Sequence, residues 1–171
     1  MPKTIDKRMH AKIEGDFVVF LIGMRINKLW KIHQWLPVAL AMPRMLKELV
    51  KNPESGFMGA RQGPLWLVQY WRSFYHLVAY ARNRDAEHFP AWVKFNRKIG
   101  NSGDVGIWHE TYLIKDGQYE TVYNNVPPSG LGKFSTLIPA VGKYGSAMSR
   151  AGKIDTGDAP ISPEGEVLGK A

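Results

Sequence analysis

Cysteine is absent from this 171-residue chain. That excludes disulfides, thiolate nucleophiles, Cys zinc sites and iron–sulfur clusters held by this chain alone. Long apolar runs are missing too. The longest, residues 17–24, has eight residues, whereas a transmembrane helix needs about 20. It also lies too far from residue 1, with no small-residue cleavage site behind it, to read as a signal peptide. Phosphate-cradling glycine motifs, a GxSxG elbow and HxxxH or HExxH pairs are absent as well. Nucleotide binding, triad hydrolysis and a protein metal site are therefore not expected. The location expected from this pattern is the cytoplasm, with no transmembrane segment.

What is present points to a globular enzyme or binding protein. The chain is 44% hydrophobic and 22% charged, with a mean hydropathy of −0.26, ordinary values for a folded domain. Its length fits one domain of about 100–200 residues. Aromatic residues make up 12%, six of them Trp, enough for a large aromatic cavity or interface. The net charge of +8 is front-loaded: residues 1–61 hold 11 basic and 5 acidic side chains, residues 62–128 hold 7 and 6. The surplus includes Lys3, Lys7, Arg8 and Lys12, and no nucleic-acid recognition motif accompanies it. It reads as a solubility feature, so no specific nucleic-acid partner is expected.

Along the chain, residues 1–13 read as a basic, loosely held N-terminal arm and 14–128 as the folded domain. Residues 129–171, rich in Gly and small side chains, read as a C-terminal extension that wraps the surface or is partly disordered. A strand is expected over 16–26, with both alternating sets apolar, hence a central strand buried on both faces. Residues 30–51 read as helical with interruptions at Pro37 and Pro43, the latter suited to a first turn. Two strands, 56–62 and 65–71, meet at Gly63-Pro64. Ser73 is a plausible N-cap for the next helix, and another helix follows over 89–99. A strand over 105–114 then turns at Asp116-Gly117 into a returning strand over 119–123.

The order β, α, β, β, α, β predicts an α+β fold of the ferredoxin-like, split βαβ type, with an added hairpin strand. Two helices cover one sheet face in that architecture. The other face is also apolar or aromatic and needs a cover. A second copy of the sheet supplies one, giving a homodimeric α+β barrel with a cavity between sheets. The C-terminal tail is the alternative cover.

The most suggestive segment is 106–112. On a strand Trp108, Glu110 and Tyr112 share one face, and Ile107, His109 and Thr111 the other. Glu110 in an apolar cavity would act as a proton acceptor near neutral pH. His109 suits a general base or an axial haem ligand. Alternation allows only one of the pair to face the cavity. The apolar company of His109 (Ile107, Leu113) sets its face against the helices and favours Glu110; a core His and a surface Glu are the plainer alternative. Arg72, at the end of a strand, suits a carboxylate or enolate, or a structural pair with Glu110. Catalysis is thus placed on Glu110, His109 and Arg72. Substrate contacts are placed on Tyr70, Trp108, Tyr112 and His76. His109 or His88 would ligate iron if haem is bound.

The segments QYWRSFYHLVAYAR, HFPAWVKFN, GIWHETYLI and YETVYNNVPPSGLG, in this order over about residues 14–140, resemble one family. It contains a fungal monooxygenase of fumagillin biosynthesis and many bacterial relatives, and is similar to dimeric α+β barrel proteins. Val126 stands where relatives are expected to carry Met. The resemblance implies a monooxygenase-like protein. Barrels of this architecture include cofactor-independent oxygenases as well as haem enzymes such as haem-degrading monooxygenases and aldoxime dehydratases. Three readings follow: a homodimeric enzyme acting on a hydrophobic small molecule without a cofactor, a haem-binding protein, or a non-enzymatic small-molecule binding module.

Overall fold

The computed structural model describes residues 4–154. They form two compact units, one spanning Phe17–Leu113 and the other joining the N-terminal residues to those from Ile114 onward. Strand β1 (Met9–Lys12) belongs to the second unit. The first contains β2 (Phe17–Ile26), α1 (Ile32–Lys51), β3 (Phe57–Gln62), β4 (Trp66–Trp71), α2 (Phe74–Arg82), α3 (His88–Lys98) and β5 (Val105–Ile114). Its four strands lie in the order β3-β4-β2-β5, the ferredoxin-like arrangement. Strand β4 runs antiparallel to β2, with Val18 opposite Trp71 and Ile22 opposite Leu67, and antiparallel to β3, which carries an irregularity between Phe57 and Gly59. Strand β2 is central, as its doubly apolar pattern predicts.

One helix departs from expectation. α1 runs unbroken through Pro37 and Pro43 instead of restarting at Pro43. Each proline removes the N–H that would bond the carbonyl four residues back, on His33 and Ala39, and sets its ring against that carbonyl. The remaining rungs, and burial of Ala41 and Leu49 on the inner face, hold the helix together. α2 begins where Ser73 predicts, its Oγ accepting the His76 N–H at 3.3 Å.

The core sits between β4 and the first two helices. Trp71 is fully buried with Val18, Leu49 and Leu77. It meets Phe57 edge-on at 5.3 Å, and its indole N–H donates to Gln69 Oε1 at 2.9 Å. The alternation of β2 and β4 thus turns Val18, Phe20, Ile22, Leu67, Gln69 and Trp71 toward the helices. The Tyr80 hydroxyl donates to Glu48 at 2.8 Å, and the backbone N–H of Glu87 donates to the same carboxylate, joining α1, α2 and the start of α3. At the far end Lys28 and Lys31 both hold the buried Asp104 at 2.7 Å, fixing the entry of α1 beside the entry of β5.

In the second unit β1 pairs antiparallel with β6 (Thr136–Pro139), and a short α4 (Ala147–Arg150) follows. The arm expected at the N-terminus is therefore a paired strand from Met9, with His10 and Ala11 buried. The added hairpin strand is corrected as well. The turn forms, with Gln118 N–H donating to the Lys115 carbonyl at 2.9 Å, but 119–123 does not join the four-stranded sheet. Instead Tyr123 bridges to Met9, Thr121 Oγ1 accepts the Ala11 N–H at 2.9 Å, and Tyr119 Oη accepts the Ile13 N–H at 2.7 Å. This pairing across more than 100 residues is invisible to a local turn signal. His10 stacks between Tyr119 and Tyr144, with centroids at 5.8 and 5.7 Å. Buried Arg150 holds Glu120 and donates to the carbonyls of Tyr144 and Gly145. The tail of the expected extension, from residue 155, lies outside the described residues.

Candidate functional site

The helix-covered side of the sheet is not filled. A cavity of about 560 Å³ lies between β2, β5 and the three long helices. Its floor is Phe20 and Ile22 from β2 with Ile107, His109 and Thr111 from β5. Its roof and walls include Pro37, Val38, Met42 and Met45 of α1, Leu77 and Val78 of α2, and Trp92 and Phe95 of α3. Its polar groups are the Thr111 hydroxyl, the imidazoles of His33, His88 and His109, the amides of Gln34 and Asn96, and the cations Arg44, Lys94 and Lys98. An apolar cavity with a few convergent polar groups is the usual form of a small-molecule site.

The imidazoles differ in environment. His88 opens α3, and its Nδ1 lies 3.2 Å from the Ala81 carbonyl. A carbonyl only accepts, so Nδ1 carries the proton and Nε2 keeps its lone pair. Burial lowers the pKa of His88, outweighing the carbonyl contact, which raises it; the ring is neutral at pH 7. His109 projects from β5, its ring 5.6 Å from that of Phe20. His33, in the first turn of α1, lies 3.3 Å from the Gln34 amide nitrogen. Among the described residues no group of three His, Asp or Glu side chains could hold a metal ion.

The other expected site residues lie elsewhere. Glu110 is exposed on the opposite sheet face, where its carboxylate accepts the Tyr112 hydroxyl at 2.6 Å. That hydrogen bond raises the Tyr112 pKa. Trp108 lies on the same face, over Gly23, where a Cβ would come within 2.5 Å of its ring. Tyr70 alternates with the inward Gln69 and Trp71 and so also belongs to the helix-free side. Arg72 is exposed just past β4, and its backbone N–H donates to the Gly56 carbonyl at 2.8 Å. His76 is held by Ser73 Oγ at 2.7 Å and packs on Gly56. Within the single chain His109 lines the cavity, whereas Glu110 lies on the helix-free face, where a barrel of two copies would enclose its own space. Alternation puts one of the pair in this cavity, and it is His109, because this cavity lies beneath the helices. Of the expected residues only His109 and His88 line it. Sequence reasoning missed His33, Phe20 and Trp92 as lining residues. The signal available was the apolar face Trp92, Phe95 and Ile99, opposite a strand face carrying only Ile107, His109 and Thr111.

Fold and cavity together define a ferredoxin-like α+β protein with an imidazole-bearing apolar cavity. Two solved aldoxime dehydratases share this fold. One, OxdRE in complex with butyraldoxime, matches at a TM-score of 0.63 and 14% identity over 80% of this chain and 42% of that chain. The other matches at a TM-score of 0.60 and 16% identity over 80% of this chain and 43% of that chain. The sequence profile of the Monooxygenase af470-like family matches residues 17–131, and the chain belongs to that family. A 46-residue stretch is 44% identical to Monooxygenase af470 of Aspergillus fumigatus, covering 27% of this chain and 16% of the fungal protein. The chain thus spans less than half the length of each of these relatives. Among the described residues no helix is long and apolar enough to cross a membrane.

Proposed function

We propose that this protein is a cytoplasmic monooxygenase-like enzyme that takes a hydrophobic small molecule into the cavity beneath its helices. The observation that carries the reading is His109 on the floor of a largely apolar cavity in a chain of this family. A weakly acidic C–H or O–H seated against His109 loses its proton to the imidazole, and the resulting enolate or phenolate is electron-rich enough to react with oxygen. For an activated methylene the balance closes without an added reductant. Two C–H bonds are lost, one oxygen atom becomes the carbonyl and the other leaves as water. Gln34 and Asn96 are among the lining residues, and their amides are the groups proposed to steady the anion.

The same reading includes a homodimer. The helix-free face exposes Trp66 (41%), Trp108 (43%) and Tyr112 (49%), an aromatic surface suited to a second copy. Light scattering should give twice the monomer mass at micromolar concentration, and a monomer there removes this part.

A specific observation favours haem as a second reading. His88 presents a neutral imidazole whose Nδ1 is oriented by a backbone carbonyl, the usual support for a metal-bound histidine. The imidazoles in the lining fit such a group, and His88 or His109 would hold it. Haem, when bound, would supply the redox and Lewis-acid chemistry of its iron. The deciding experiment measures oxygen uptake with an anthrone under chelating conditions, alongside a haemin titration. Uptake of one oxygen per substrate, cut about 10²-fold or more by His109→Ala, supports the cofactor-free reading. No uptake, with a sharp Soret band that shifts in His88→Ala or His109→Ala, selects haem. Neither signal leaves a binding module.

A further inference from the structure

The charged side chains that line the cavity are of one sign. Among its lining residues are Arg44, Lys94 and Lys98, and no Asp or Glu. Arg44 approaches Glu87 at 3.8 Å with both side chains well exposed, a long contact that neutralises it only in part. Lys94 and Lys98 are one turn apart on α3, so their ammonium groups leave the helix on one side. Among the described residues no carboxylate lies within ion-pair distance of either.

From this arrangement we propose that the cavity selects an amphipathic anion, a hydrophobic acid whose apolar body lies along Phe20, Ile22 and Phe95 and whose carboxylate is held by Lys94 and Lys98. The inference rests on the cavity reading above and adds the chemical class of the ligand. Two exposed lysines of one sign in the lining of a cavity add their attractions for an anion, most strongly at low ionic strength. A neutral ligand of the same shape gains the apolar burial but not that attraction, and a hydrophobic cation is repelled. The lysines also orient the ligand, with the charged group at the α3 rim and the chain directed toward β2.

The test compares dodecanoate with dodecanol at pH 8, followed by titration calorimetry and by the change in tryptophan fluorescence that Trp92→Phe removes. Dodecanoate should bind at least tenfold more tightly. Lys94→Gln/Lys98→Gln should erase the difference by weakening the acid and leaving the alcohol unchanged. Raising NaCl from 0.05 to 0.5 M, about a threefold shorter screening length, should weaken dodecanoate binding alone. Equal affinity for acid and alcohol in the parent protein overturns the anion preference and leaves the cavity standing. Binding of neither, in protein whose circular dichroism shows it folded, overturns both. Circular dichroism of the double variant separates lost charge from lost fold. An advantage for the acid that persists in the double variant overturns the assignment to the two lysines.

Discussion

The layer between sheet and helices is built in two ways within one unit. At β4 it is closed: Trp71 is 0% exposed and Val18, Leu49 and Leu77 pack around it. Across β2, at β5, the same layer is open, and Ile107, His109 and Thr111 face a cavity of about 560 Å³. The difference lies in side-chain volume and in position. β4 carries an indole between two neighbouring strands, whereas β5 carries medium-sized and polar groups at the sheet edge. Stability and binding are thereby assigned to different residues of one sheet face, so each can be altered separately.

Trp71→Ala should have the largest effect, a loss of about 3–5 kcal/mol for a fully buried indole, read as a lowered urea midpoint. A loss below about 1 kcal/mol would mean that the closed end is not the core. Filling the open end should do the reverse. Thr111→Phe places a ring where space already exists, so stability should change by about 1 kcal/mol or less while dodecanol binding falls at least tenfold. Unchanged binding would break the assignment of the cavity as the site.

Acid should act on both units. Burial holds His10 and His88 below their ordinary pKa, so the folded chain favours their neutral forms. The stability this contributes is complete above about pH 6.5, the value in the unfolded chain, and is lost as pH falls toward the folded values. The urea midpoint should therefore fall between pH 7.5 and 5.5, and His10→Gln or His88→Gln should each flatten that slope. A slope unaltered in both variants would show that other groups carry it. Tyr112→Phe should have the smallest effect. It removes a hydrogen bond to Glu110 on an exposed face, and the midpoint and cavity binding should both stay at parent values. Where the parent protein scatters as the proposed dimer, a monomer mass in that variant would instead place Tyr112 in the contact between copies.

Elements with local signals were legible in the sequence. The run of β5 over 105–114, the Ser73 cap and the central place of β2 each follow from periodicity or from a short-range hydrogen bond. The docking of 119–123 on β1 was not, because it depends on side chains meeting across more than 100 residues. The candidate site was half legible. Alternation separates His109 from Glu110 with certainty, but which face holds empty space depends on how far the helices stand from the strand. No strand pattern encodes that distance. His33 was passed over for a related reason: its helix was expected over 30–51, but nothing local shows that its first turn borders empty space.

The two prolines of α1 bear on what the cavity can admit. Pro37 is part of its lining, and with Pro43 it leaves the carbonyls of His33 and Ala39 without their helical donors. A helix missing two rungs in its first twelve residues bends more cheaply than an intact one. The roof can therefore rise over a bulkier guest without first breaking hydrogen bonds, while the floor, tied strand to strand, keeps its shape. Ligand girth should be read by α1 and ligand chemistry by β5. A series of ligands of rising thickness would then show amide exchange in α1 changing from one guest to the next, with the strands silent.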